Sequence, residues 1–124
     1  MTPPILLARR LADALYVVAD ERGRHVKAPS RDTQFMLSLA IGNVDDAARK
    51  LDAAIIAAVG ADPHALALPE WPVWRGVRFD PARVALSLAP RLADAEPDEV
   101  TRYAEAWEKW AGEMAAQERA EAGA

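Results

Sequence analysis

Cysteine is absent from the 124-residue sequence. Disulfide frameworks, thiolate nucleophiles, Cys-ligated zinc sites and iron–sulfur clusters are therefore excluded, because each of them needs a cysteine sulfur. Long hydrophobic runs are absent too. Near the N-terminus the apolar run Ile5-Leu6-Leu7-Ala8 ends at Arg9, whereas signal peptides and membrane spans need longer runs. We therefore expect a cytoplasmic protein without a membrane segment.

Residues that commonly carry catalysis are scarce. The two histidines, His25 and His64, belong to no Glu-x-x-His or His-Glu-x-x-His metal motif. The sequence also lacks a Gly-rich phosphate loop and a Gly-x-Ser-x-Gly elbow. The acid pair Asp45-Asp46 opens a predicted helix, where its interaction with the helix dipole is a sufficient explanation. We therefore expect no enzymatic activity, no metal site and no cofactor.

Charge of neither sign is in large excess. The chain has 15 Lys and Arg against 19 Asp and Glu, which gives a net charge of −4 and excludes both a globally basic nucleic-acid binder and an acidic disordered tail. The distribution is uneven, because residues 1–31 carry six basic and three acidic side chains and residues 94–124 carry three and nine. This asymmetry is typical of a solvated surface, and it leaves a polarised assembly open.

Helix-forming residues dominate what is present. There are 28 alanines and 36 larger hydrophobic residues, and alternation with a period of two is almost absent, which predicts an all-α single domain. We predict a bundle or orthogonal array of four to five helices. Apolar residues at three- and four-residue steps, with capping and proline signals, place these helices at about 3–22, 33–41, 44–59, 80–93 and 97–116.

Residues 61–79 break the helical pattern. Three residues in this stretch precede a proline, and proline disfavours helix at the residue before it. We predict a long Pro- and Trp-rich connector, which in a compact domain should pack through its own side chains or carry function. Within it Trp71 and Trp74 stand beside Arg75 and Arg78, and both residue types are enriched at interface hot spots. These four side chains are candidates for binding a protein partner.

A second set of aromatic residues lies in the last predicted helix. Tyr103, Trp107 and Trp110 recur at steps of four and three residues and therefore share one helix face. Trp and Tyr anchor both cores and interfaces, so these three residues are candidates for protein binding as well. We predict that they lie mainly in the core, and an interface is the alternative.

The most basic stretch is predicted to be a loop between the first two helices. It contains a glycine and a proline, and it lacks an apolar period. Basic side chains on such a loop can converge on an anion. The candidates for anion binding are Arg22, Arg24, His25, Lys27 and Arg31, and an exposed polar connector is the alternative interpretation.

Residues 34–51 resemble the helix-turn-helix motif of DNA-binding proteins. Ser38 is a small residue where the two helices would approach each other, and Gly42 stands in the position of the turn. The resemblance implies that helix 44–59 is a recognition helix that enters the major groove. Two carboxylates open this helix, where it would meet the phosphates, and the sequence departs from the motif there.

Taken together, these features predict a small non-catalytic protein-interaction module, such as an adaptor, an assembly factor or an inhibitor-like protein. It would act through helix faces and the aromatic and arginine residues of the connector, on a protein partner or a second copy. The alternative is a helix-turn-helix regulator that uses helix 44–59. A third hypothesis is a small-ligand or enzymatic domain built around His64.

Overall fold

The computed structural model describes residues 3–59, 92 and 95–123. In this part of the chain all regular structure is helical, which confirms the predicted all-α class. Three long helices are present in it: α1 (Pro4–Lys27), α2 (Arg31–Val59) and α3 (Pro97–Ala122). Leu92 is helical and buried. The rest of the predicted helix at 80–93 and the whole predicted connector at 61–79 lie outside the described residues.

Helix α1 packs against both α2 and α3. Towards α3, the Arg22 Nε donates a hydrogen bond to the Ala95 carbonyl at 3.1 Å, and the Tyr16 hydroxyl donates to Glu108 Oε2 at 3.2 Å. Residue numbers therefore fall along α1 as they rise along α3, so these two helices are antiparallel. Since α1 and α2 form a helical hairpin, α2 and α3 run in the same direction on either side of α1.

A short turn, residues 28–30, joins α1 to α2. Ser30 caps α2, because its Oγ accepts a hydrogen bond from the Thr33 backbone N–H at 3.1 Å. In return, the Ser30 backbone N–H donates to Thr33 Oγ1 at 2.9 Å. This reciprocal pair is a capping box in which threonine replaces the usual Glu or Gln. The side chains of Ser30 and Thr33 therefore hold the geometry of the hairpin turn.

The predicted break between helices 33–41 and 44–59 is wrong, because α2 runs through Gly42 without interruption. A glycine in a helix interior costs about 1 kcal/mol relative to alanine. Burial against α1 outweighs this cost, since fully burying a Leu or Val side chain contributes about 1.5–3 kcal/mol. The buried residues follow three- and four-residue steps straight across the glycine: Leu37, Ala40, Val44, Ala48, Leu51 and Ala54.

The predicted ends of α1 and α3 are also wrong. Helix α1 passes through Gly23 and ends at Lys27, just before the turn that contains Pro29. Basic residues in its last turn stabilise it, because they lie beside the negative end of the helix dipole. Helix α3 extends beyond residue 116 to Ala122, since its last turns consist mainly of strong helix formers.

Tyr103, Trp107 and Trp110 form an aromatic row on the inner side of α3, which we call the C-terminal aromatic seam. The ring centroids of Tyr103 and Trp107 are 6.1 Å apart, and those of Trp107 and Trp110 are 5.6 Å apart. Both pairs meet edge to face, as aromatic quadrupoles prefer. Trp107 is 0% exposed, and burial raises the pKa of the Tyr103 hydroxyl above its ordinary value. The seam therefore belongs to the core.

Candidate functional site

An open groove of about 680 Å³ lies where α1 ends and α2 begins. We call it the turn groove. Its exposed surface is mainly apolar, although polar side chains form part of its edge. The residues that line it come from the end of α1, the turn and the first turns of α2: His25, Pro29, Ser30, Arg31, Gln34, Phe35 and Ser38.

Large apolar side chains adjoin this groove on the outer side of α2. Phe35 is 63% exposed, Met36 47% and Leu39 50%, and we call these three residues the α2 apolar patch. At 100° per residue, Phe35 and Leu39 point away from the side of α2 that buries Val44 against α1. A cluster of neighbouring exposed apolar side chains is a feature that soluble monomers keep small, and such clusters mark interaction sites.

The turn that forms the groove is held by side-chain hydrogen bonds. The His25 Nδ1 lies 2.8 Å from Thr33 Oγ1, so the last turn of α1 is tied to the first turn of α2. Thr33 also takes part in the capping box with Ser30. Because these bonds link both helices across the turn, the groove is formed before any ligand arrives.

The five candidates for anion binding do not form the predicted loop. Arg22, Arg24, His25 and Lys27 lie on the last turns of α1, and Arg31 is the first residue of α2. Arg22 donates a hydrogen bond to the Ala95 carbonyl, and the His25 ring is hydrogen-bonded to the Thr33 hydroxyl. The predicted loop is therefore wrong, and the structure places His25 and Arg31 alone of the five among the groove-lining residues.

Charge around the turn is distributed unequally. Arg24 forms ion pairs with Asp20 at 3.1 Å and with the mostly buried Glu21 at 3.7 Å. Lys27 and Arg31, by contrast, have no carboxylate partner among the described residues. Asp32 also lacks an ion-pair partner there, and it lies in the first turn of α2, where the helix dipole stabilises it. Two cations that have no ion-pair partner in the described part of the chain therefore stand near the groove, beside one carboxylate that the helix terminus already stabilises.

The structure describes the aromatic candidates of α3 and does not describe those of the connector. Tyr103, Trp107 and Trp110 lie in the core and do not reach the surface as a docking face. The connector candidates Trp71, Trp74, Arg75 and Arg78, together with His64, lie outside the described residues.

Phe35 lies within the predicted helix 33–41, but the sequence analysis does not single it out as an exposed candidate. A signal was available. Leu37, Ala40 and Val44 continue at helical steps through the supposed turn, and Phe35 and Leu39 are out of phase with them.

A second, smaller cleft of about 290 Å³ lies between α1 and α3 and is lined by Arg9, Asp13 and Glu108. Glu108 also accepts the hydrogen bond from Tyr16. Desolvation raises the pKa of Tyr16, and this hydrogen bond and the nearby carboxylates raise it further. The cleft brings one arginine and one carboxylate of α1 next to one carboxylate of α3.

The part of the chain that the structure describes contains no cluster of three or more side chains suited to hold a metal ion. Within the same residues, no helix has both the length and the apolar composition that crossing a bilayer requires. Comparisons with protein-family models, with curated proteins and with solved structures find no match to this chain.

Proposed function

We propose that this chain is a small, non-catalytic protein-interaction module that binds its partner through the turn groove and the α2 apolar patch. The observation that carries the proposal is the exposure of Phe35, which is 63% accessible although it stands on a helix with a well-packed opposite side. Aromatic side chains in pockets dominate the binding energy of many interfaces. An exposed phenylalanine beside a preformed groove therefore supports docking of a partner.

The α2 apolar patch is not needed for the core. Leu37 and Val44 on the opposite side of α2 are fully buried and already join this helix to α1. Met36 and Leu39 remain about half exposed beside Phe35. Exposed apolar surface contributes nothing to the stability of a monomer, and its burial by a partner contributes about 25 cal/mol per Å² before the costs of association.

The rigidity of the turn also supports a binding role. The His25–Thr33 contact and the capping box at Ser30 fix the relative position of the two helices. A partner that enters the groove does not have to order a loop first, and preorganisation of this kind reduces the entropic cost of binding.

The helix-turn-helix alternative has less support. Its motif needs a turn at Gly42, and α2 is one continuous helix there. The two cations that would meet DNA phosphates on this segment, Arg49 and Lys50, are each paired with a carboxylate one turn earlier at 3.0 Å. The hypothesis of a ligand or enzymatic site around His64 stays a prediction.

A selection from a displayed library of random peptides, with the full chain as bait, tests the proposal. We expect enriched peptides to bind the unaltered chain and to lose binding to the Phe35→Ala variant. Leu6→Ala is a matched control, because Leu6 is also an exposed apolar residue but lies at the far end of α1. Circular dichroism should show that both variants keep their helical content.

Two results would contradict the proposal. One is a selection that enriches no peptide above the background of uncoated support. The other is a set of enriched peptides whose binding is reduced equally by Phe35→Ala and by Leu6→Ala, since that would separate binding from the groove.

A further inference from the structure

We propose that the segment bound at the turn groove is an acidic peptide segment of a partner protein, with one large apolar side chain seated against Phe35. This inference rests on the proposed function and specifies the partner. The inference combines three features at one end of the helical hairpin: the turn groove, the α2 apolar patch, and two cations that have no ion-pair partner within residues 3–59, 92 and 95–123.

The apolar part of the ligand follows from the lining of the groove. Phe35 and Pro29 provide apolar surface, and Ser38 and Ser30 are small enough to leave the groove open. A large aliphatic or aromatic side chain would cover the exposed ring of Phe35 and bury apolar area of its own. Packing against an aromatic ring adds to the stabilisation that burial provides.

The acidic part follows from the charges at the turn. Arg24 at the end of α1, and Arg49 and Lys50 further along α2, already contact carboxylates of this chain. Arg31 lines the groove and Lys27 is exposed one residue before the turn, and neither has a carboxylate partner among the described residues. The planar guanidinium of Arg31 suits two-point binding of a carboxylate. A ligand with carboxylates beside its apolar side chain therefore complements this edge.

A short segment fits this surface better than a second copy of the chain. The α2 apolar patch contains three partly exposed side chains, whereas a stable dimer buries about 800 Å² on each partner. A two-fold contact would also place the same patch, with its unpaired cations, against its own copy. Lys27 and Arg31 of each copy would then share one interface with two Asp32 carboxylates, and this excess of positive charge opposes pairing of two copies through this end.

Binding of four matched synthetic peptides to the full chain tests the inference. The first peptide has a central phenylalanine flanked by glutamates, and the second and third replace the glutamates with glutamines and with lysines. The fourth keeps the glutamates and replaces the phenylalanine with alanine. Fluorescence anisotropy measures each affinity at low and at physiological ionic strength.

The acidic peptide with phenylalanine should bind most tightly, and salt should weaken it most. Arg31→Gln should lower its affinity about threefold to fivefold at low salt, the usual range for one exposed ion pair. Phe35→Ala should lower it about thirtyfold or more, as expected for an aromatic anchor. Arg49→Gln is the matched control, because it makes the same change of charge on the same helix and should leave the affinity unchanged.

Different results would contradict different parts of the inference. Tighter binding of the glutamine or lysine peptide, with dependence on Phe35 retained, would overturn the acidic partner and leave the interaction module in place. An equal loss in the Arg31→Gln and Arg49→Gln variants would overturn the specific role of Arg31. A concentration-dependent dimer in sedimentation experiments that Phe35→Ala abolishes would show that a second copy occupies the patch. If none of the four peptides bound the unaltered chain, the acidic partner would be overturned, and the library selection described above would decide the proposed function separately.

Discussion

The C-terminal aromatic seam of α3 and the α2 apolar patch both contain apolar side chains three and four residues apart, but their surroundings in the fold are opposite. Trp107 in the seam is fully buried, whereas Phe35 in the patch is mostly exposed. On α3, Trp107 lies in phase with the other buried residues of that helix. On α2, a second apolar stripe centred on Val44 is longer, and it takes the side that faces α1. Helical spacing thus groups residues on one side of a helix, and the competition between stripes decides which side is buried.

The largest expected effect separates the two aromatic sets by stability. Trp107→Ala should lower the free energy of unfolding by about 3–5 kcal/mol, because it leaves a cavity in the core. Phe35→Ala should change it by less than about 0.5 kcal/mol, as is usual for exposed positions. Urea denaturation followed by circular dichroism measures both. If the two variants lost similar stability, the division into core seam and exposed patch would fail.

High pH should lower the stability of the fold through Tyr103, a residue of the C-terminal aromatic seam. The folded state holds the Tyr103 proton because burial raises the pKa of this hydroxyl, whereas the unfolded chain releases it near the ordinary value of about 10. Above the ordinary pKa, unfolding therefore releases a proton. The contribution of Tyr103 to the free energy of unfolding is fully present below that pH and falls by about 1.4 kcal/mol for each pH unit above it. Unfolding free energies measured on both sides of this range check the trend. Tyr103→Phe should reduce it, and no difference between this variant and the unaltered chain would contradict the assignment.

The turn that carries the groove can be tested through its cap. Ser30→Ala should cost about 1 kcal/mol of stability, because the Thr33 backbone N–H loses its side-chain acceptor. Ser38→Ala is a suitable control, since Ser38 is an exposed residue of the same helix that also lines the groove. Thermal unfolding should show a lower Tm for the first variant and little change for the second. Equal melting temperatures would mean that the cap does not hold the turn.

The smallest expected effect concerns the continuity of α2. Gly42→Ala should stabilise the chain by about 0.5–1 kcal/mol, because a Cβ at this position meets no atom within 4 Å and alanine favours helix. Gly112→Ala should give a similar gain, since Gly112 is equally unobstructed inside α3. If Gly42→Ala destabilised the chain while Gly112→Ala stabilised it, α2 would contain the turn that the helix-turn-helix resemblance requires.

The turn groove could be predicted only in part. His25 and Arg31 stand out in the sequence as basic residues between two helices, and the structure places both in the lining of the groove. The sequence alone gives no reason to exclude Arg22 from the candidates for anion binding, because its hydrogen bond to Ala95 joins parts of the chain that are distant in sequence. The exposure of Phe35 depends in the same way on which stripe of α2 faces α1.

The sequence by itself determined the helical class, because its alanine content and its three- and four-residue apolar steps are local properties. It also determined the helix start at Pro97, since a first-turn proline acts within a few residues. Only the tertiary structure decided that α2 continues through Gly42. The local preference of glycine to end a helix is about 1 kcal/mol, and burial of several apolar side chains against α1 is worth more.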